Sequence, residues 1–476
     1  MAKSVSILQV KKGVIISVAA QAISLSVSLV LNLIVPKCID EYQYAYWQTY
    51  MLYISYVGIL HFGILDGIVL RYAQFDYEEL DKALIRSQFV VLLLLDSSIT
   101  LVMIGFALAF AEGITQAVVI LVALGVVTRN VFTYTSYTFQ VTNRINKYAI
   151  LIIAQRLFYG IGILVLLVIG VRSFVFLCLI DLMADLFGIM IGARFNQGLY
   201  FGPLPGLKSV RKEVKANLSA GVLLLIANWA SNLLIGSAKM VVQWRWDALV
   251  FGKVSFAFSV SNLFLTFVTA ISVVLFPSLK RMKQEELPGL YKKIRGAISP
   301  LLFAVMLFYF PGCVILRLWL PRYAQSLRYL GILLPIIVFA SKVSLLTNNY
   351  LKAYRKERAM LRINIFSIAV GLLVYFGCAY LLNSLELLLI GIVTVVMMRS
   401  ILSEIVVSKV ISASFSREFL SEGLMTAVFL LCTSMLELKV GFFVYLVSIA
   451  LYCATHFRDI KSMIPSLHFG GKGSGK

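Results

Sequence analysis

QFVVLLLLDSSITLVMIGFALAFA, residues 88–111, decides what kind of protein this is. At 1.5 Å per residue, an apolar run of about 23 residues spans roughly 34 Å, enough to cross a bilayer's hydrocarbon with some tilt. A backbone surrounded by hydrocarbon finds no water to bond, so such a run has to be a helix. Its one charge is Asp96, and Lys82 and Arg86 stand just before it.

Outward from this stretch the pattern repeats. Apolar runs cover 13–35, 44–66, 115–141, 148–170 and 173–195 on either side of it. They continue over 217–241, 248–277, 296–320, 327–351, 363–382 and 385–408, and close with a shorter pair at 419–436 and 440–456. With about fourteen candidate helices and no soluble segment of domain size, the fold class is an all-α polytopic membrane protein. The composition agrees: 60% of residues are hydrophobic and 14% charged, far from a soluble enzyme's balance. The first run follows a basic start but continues past the length of a signal core, so it reads as an uncleaved helix.

Lys and Arg gather in alternate gaps. Counted from Lys3 to the tail after Arg458, one set of gaps holds about 30 of them against 7 in the other set, a strong positive-inside bias. Both termini are therefore expected in the cytoplasm, which requires an even number of spans. The net charge of +21 is mostly this bias. Attraction to anionic lipid headgroups explains it better than nucleic acid does.

Other classes fall away. The six cysteines are dispersed, with no close pair to suggest a metal or redox motif, and the three histidines are isolated. No phosphate-binding glycine loop appears, and no loop is long enough for a catalytic domain. No catalytic residue, metal or cofactor is expected. The connection at 196–216, with its GPLPGL turn signals, divides the chain into six spans, then six, then two. The expected organisation is an N-terminal six-helix lobe over 1–200, a second over 201–412, and an additional helix pair with a basic cytoplasmic tail over 413–476.

Polar groups inside spans are costly unless they face water or a partner. In the first span Gln21, Ser24, Ser28 and Asn32 share one helical face, as do Ser255, Ser259, Asn262, Thr266 and Thr269 in the eighth. The tenth ends in Ser341, Lys342, Ser344, Thr347, Asn348 and Asn349. Arg129, Arg156, Lys342 and Arg399 sit roughly 12 Å of helix rise inside their spans. Asp96, Asp181 and Asp185 are the buried acids, the last two one helical turn apart. Two accounts compete for these charges. The bases, more numerous than the acids, line a cationic cavity suited to an anionic solute, since a guanidinium fork matches phosphate oxygens; or bases and acids pair as struts between helices. Tyr46, Trp47, Tyr50, Tyr53 and Tyr56 of the second span offer rings for sugars or an interfacial belt.

From Ile34 the chain reads IVPKCIDEYQYAYWQTYMLYISYVGILHFGILDGIVLRYA. This resembles the start of the polysaccharide-biosynthesis, Wzx-type oligosaccharide flippases of the multidrug/oligosaccharidyl-lipid/polysaccharide exporter superfamily. The shared elements are the Pro after the first span, the EY-x-Y-x-x-W/Y-Q stretch, and a small-residue turn ending in Arg and Ala; Gln43 stands where many relatives have Gly. LFPSLKRM at 275–282, LWLPRYAQSLRYLGILLP at 318–335 and LLTNNYLKAYRKE at 345–357 extend the resemblance. It implies a V-shaped bundle of two six-helix lobes that alternates between inward-open and outward-open states, with a C-terminal helix pair outside that core. The implied cargo is an undecaprenyl-pyrophosphate-linked oligosaccharide, carried across a bacterial inner membrane for cell-surface polysaccharide synthesis, beside other polysaccharide-assembly membrane proteins. Arg129, Arg156, Lys342, Arg399, Gln21, Ser24, Asn262, Thr266 and Asn348 would contact it, and Asp96, Asp181 and Asp185 would couple an ion or pair with bases. The alternatives are a cation-coupled exporter of the same superfamily, which often carries an acid in the first span where this chain has none, and a membrane polymerase or ligase.

Overall fold

The computed structural model describes residues 7–73, 75–281, 285–413, 415–457 and 461, with side chains from residue 20 onward except 266–281 and 416. Among the described residues there are helices and no strands. Eleven helices are long and apolar enough to cross a membrane, and two bent helix pairs raise that number to as many as 13. The chain is a multi-pass membrane protein.

Contacts divide the chain into two compact units, the first reaching Asn232 and including Asp247–Gly252, the second holding the rest. The division between Asn232 and Leu233 falls inside a helix.

The first unit is built from α1 (Ile7–Cys38), α2 (Glu41–Ile54), α3 (Ile64–Tyr72), α4 (Lys82–Phe110), α5 (Gly113–Val141), α6 (Ile145–Val168), α7 (Phe174–Phe195), the single turn α8 (Gln197–Tyr200) and α9 (Leu207–Arg245) up to Asn232. Local chemistry sets several ends. Asp40 caps α2 by accepting the Tyr42 N–H, and Asp81 caps α4 by accepting those of Ala83 and Leu84. The second span, read from sequence as continuous, is broken: α2 and α3 are bent by 59°, and Gly63, at φ +90°, sits at the break. The break serves packing, because a Cβ at Gly67 would lie 2.1 Å from the Asn217 carbonyl oxygen and one at Gly221 1.9 Å from that of Gly63. Only hydrogen at these positions lets α3 and α9 approach backbone to backbone.

α4 shows the inversion expected of a membrane helix. Asp96 and Thr100 are buried at 0% and 7% exposure, while Leu101 and Val102 stand outward at 69% and 73%. That outward face suits lipid and would be costly in water.

The second unit takes the end of α9, most of α10 (Ala248–Arg281), α11 (Leu287–Val305), α12 (Tyr309–Trp319), α13 (Ala324–Leu333), α14 (Ile336–Lys342), α15 (Asn348–Ala353), α16 (Glu357–Phe376), α17 (Leu385–Ile411), α18 (Ser416–Ser434) and α19 (Leu438–Thr455). The tenth span bends by 44° at Pro335, which has no N–H to continue the ladder. A π-helical turn over Val343–Thr347 then links α14 to α15. Of the fourteen expected spans, α18 is the one that composition does not qualify, because Arg417, Glu418 and Glu422 crowd its start. It packs against α13 and α19 all the same.

Candidate functional site

In the first unit α5 presents Arg129 to α7, where Asp181 and Asp185 lie one turn apart on the facing stripe. Arg129 Nη2 donates to Asp181 Oδ2 at 2.6 Å, and Nε stands 3.1 Å from Asp185 Oδ2. One guanidinium edge therefore spans two carboxylates, a geometry lysine cannot copy. Each acid has a second donor. The Tyr50 hydroxyl of α2 donates to Asp181 at 3.0 Å, and the Gln155 amide of α6 donates to Asp185 at 3.0 Å. Both carboxylates are buried, whereas the Arg129 side chain remains 23% exposed.

Two glycines on α7 make the approach possible. A Cβ at Gly188 would fall 2.5 Å from a Phe132 ring carbon, and one at Gly192 2.0 Å from Thr135 Cγ2. Gly192→Ala is therefore expected to lower the melting temperature of the purified protein, at a cost of about 1–3 kcal/mol for overpacking. Thr135→Ser, which deletes the opposing methyl and keeps the hydroxyl paired with Tyr200, should restore most of it. A double variant as unstable as Gly192→Ala alone would show that the contact is not what limits helix approach.

Arg156 follows Gln155 on α6. It is half-buried, near enough to act electrostatically on Asp185, and forms no ion pair among the described residues. Asp96 is not part of this cluster; it accepts from the Asn130 amide at 3.0 Å. Gln21 is exposed on α1 and Ser24 half-buried. Tyr50, which the sequence offered as a sugar-stacking ring, is wholly buried with its hydroxyl committed to Asp181.

The second unit holds a different arrangement. Lys342 ends α14 at 1% exposure, against Glu404 of α17 and Glu422 of α18. Its Nζ lies 2.6 Å from Glu422 Oε2 and pairs also with Glu404 Oε1. Arg295 of α11 closes the circuit, with Nε 2.8 Å from Glu404 and Nη2 3.4 Å from Glu422. Base and acid alternate around a four-membered ring, and none of the four side chains is more than 3% exposed. Ser299, one turn after Arg295, donates to Glu422 at 2.7 Å, and the Arg295 guanidinium lies over the Phe415 ring at 4.8 Å. Lys342 is thus neutralised by Glu404 and Glu422, two acids that no local pattern in the chain ties to it. Arg295 precedes the apolar run 296–320 in the chain, yet it lies inside α11 and is buried.

Arg399 lies on α17 five residues before Glu404, 7% exposed. Asn348 is half-buried in α15 and Asn262 exposed in α10. The side chain of Thr266 lies outside the described residues. The structure groups Arg129, Asp181 and Asp185 within the first unit, with Arg156 beside them, and builds the second unit's cluster around Lys342.

No family model and no curated relative matches the chain. Solved structures do. A lipid II flippase, MurJ, in an inward closed conformation superposes with a TM-score of 0.68 at 11% identity, covering 96% of this chain and 100% of that one. An inward-facing multidrug resistance MATE family transporter of the MOP superfamily gives 0.60 at 14% identity over 83% of this chain and 94% of its own. A MOP superfamily transporter from Pyrococcus furiosus gives 0.51 at 14% identity over 84% and 96%. The chain has the fold these transporters share.

Proposed function

We propose that this chain is a transporter of the same superfamily. It moves an undecaprenyl-pyrophosphate-linked oligosaccharide from the cytoplasmic to the outer leaflet by alternating access, for cell-surface polysaccharide synthesis. The observation that carries the reading is the likeness to a lipid II flippase along nearly the full length of both chains; the exporters leave more of this chain uncovered. The quoted motifs of the first span pair and of 275–357 support the same family. The alternating basic loops support cytoplasmic termini, and the resemblance to the oligosaccharide flippases supports a bacterial plasma membrane.

Within the first unit, Arg156 is a half-buried base beside this cluster with no ion-pair contact among the described residues, and Arg129 is the one whose fork is held but still partly exposed. In this reading they meet the pyrophosphate, while Gln21 and Ser24 of the same unit meet sugars. A pyrophosphate oxygen and a guanidinium form strong charge-assisted hydrogen bonds, and no bond of the cargo has to break.

Reconstitution separates the readings. In vesicles carrying a fluorescent undecaprenyl-pyrophosphate oligosaccharide, the purified protein is expected to bring the inner-leaflet half of the probe within reach of an external membrane-impermeant reductant. A cation-coupled exporter would leave that half protected and would move a cationic dye against an imposed proton or sodium gradient. A polymerase or ligase would lengthen the probe's sugar chain, or transfer it, in the same vesicles.

A further inference from the structure

Asp96 lies midway along α4, 0% exposed, and Asn130 of α5 faces it, also 0% exposed. The Asn130 Nδ2 group donates to Asp96 Oδ1 at 3.0 Å. That leaves one oxygen on each partner, Asp96 Oδ2 and Asn130 Oδ1, and both are enclosed with no hydrogen-bond partner among the described residues. Two acceptors cannot satisfy each other. A proton on Oδ2 would turn one of them into a donor, and an acid and an amide could then close a pair of antiparallel hydrogen bonds.

We propose that Asp96 is a proton-binding site. In this state its carboxyl is the neutral acid, joined to the Asn130 carboxamide through both edges, and its proton leaves only when α4 and α5 part enough to admit water. An ionised carboxylate in this position would be a buried charge without a counter-ion, at a cost of several kcal/mol. When the Oδ2–H bond breaks, the proton passes to that water, and the carboxylate left behind needs the hydration that the opened interface supplies.

Among the described residues the surroundings offer no competing partner. The elements packed on α4 include α5, α8, α3 and the 3-10 turn Val57–His61, and α9 reaches it through Asn217, which donates to Gln88 at 3.2 Å. Arg129 of α5 is engaged with Asp181 and Asp185, His61 lies 3.9 Å from Asp66, and Arg71 and Tyr72 of α3 both bind Glu213. Tyr134 donates to the carbonyl oxygens of Ile85 and Leu199, Tyr200 pairs with Thr135, and Tyr137 lies near Asp66. On α4 itself, Lys82 pairs with Glu78 and Arg86 donates to the Gly198 and Pro203 carbonyls. The site belongs to this chain whatever cargo it carries, so its failure and that of the flippase reading are separate outcomes.

The test is infrared spectroscopy of the full chain in lipid nanodiscs over a pH series, with wild type compared with Asp96→Asn. An amide at position 96 keeps one donor and one acceptor edge, so this variant is expected to fold. Wild type should show the carbonyl stretch of a protonated carboxyl in a dry site at neutral pH, and Asp96→Asn should lack that band. Above the pH at which the band disappears, amide exchange in 82–141 should quicken in wild type and not in Asp96→Asn compared at the same pH. Asn130→Leu removes both hydrogen bonds and should shift the band to that of a non-bonded acid, a second reading should Asp96→Asn fail to accumulate. The proposal is overturned if neither variant changes the band. It is equally overturned if the band titrates away near the ordinary aspartate value of about 4.

Discussion

Glu422→Ala is expected to remove most of the folded protein from the membrane. The substitution opens the ring Arg295–Glu404–Lys342–Glu422 and leaves two buried bases facing one acid. Breaking a buried pair by deleting one partner costs about 3–5 kcal/mol, a large share of what most domains have in hand. The Ser299 hydroxyl loses its acceptor as well. Lys342→Ala should behave alike, by stranding Glu404 and Glu422 with Arg295 alone. The combination Lys342→Met with Glu422→Gln removes one charge of each sign and leaves Arg295 paired with Glu404 at 2.8 Å, so it should recover much of the abundance. Fluorescence-detected size exclusion of tagged variants measures this directly. Full abundance for both single variants would mean that the ring is hydrated and bears little of the fold. α18 enters the second unit through this ring, which ties the C-terminal pair to α11, α14 and α17.

The second large effect is expected at Arg156, on transport alone. Arg156→Ala should leave abundance near wild type, because among the described residues no acid is paired with it. It should weaken handling of a pyrophosphate-bearing lipid by about tenfold or more, the worth of one charge-assisted hydrogen bond of roughly 1.5–3 kcal/mol. Arg156→Lys should keep part of the activity if charge alone is needed. Arg129→Ala provides the contrast. It unpairs Asp181 and Asp185, so abundance should fall with activity, and adding Asp181→Asn should restore abundance but not transport. Lipid-probe translocation and membrane abundance, measured on the same preparations, distinguish the two residues. Wild-type translocation by Arg156→Ala would remove it from the cargo path.

Much of the architecture is legible in the chain because hydrocarbon makes it a local matter. A run such as 88–111 has to bond its own backbone wherever it lies, so a window of about twenty residues is enough to identify a helix. The breaks inside helices are partly local too. Pro335 announces its bend through a missing donor, whereas Gly63 and Gly67 are legible as small residues without revealing that α9 crosses there, since the partner carbonyl of Asn217 is 150 positions further along.

Local patterns in the chain therefore reveal the class, the approximate helices, and the cost of placing Arg129, Lys342, Asp96, Asp181 and Asp185 where they stand. Which charge answers which was decided by the tertiary structure. Arg129 reaches an acid 52 positions away and Lys342 one 80 positions away, while Arg295, which looked like a loop residue, finds one 109 positions away. The physical reason is that burying a charge is penalised locally, by the apolar residues around it in the chain, but relieved over a few ångströms of space by whichever helix packs alongside. The penalty can be read along one helix. The relief depends on helix packing, and that fixed Glu404 and Glu422 as counter-ions and left Asp96 with an amide.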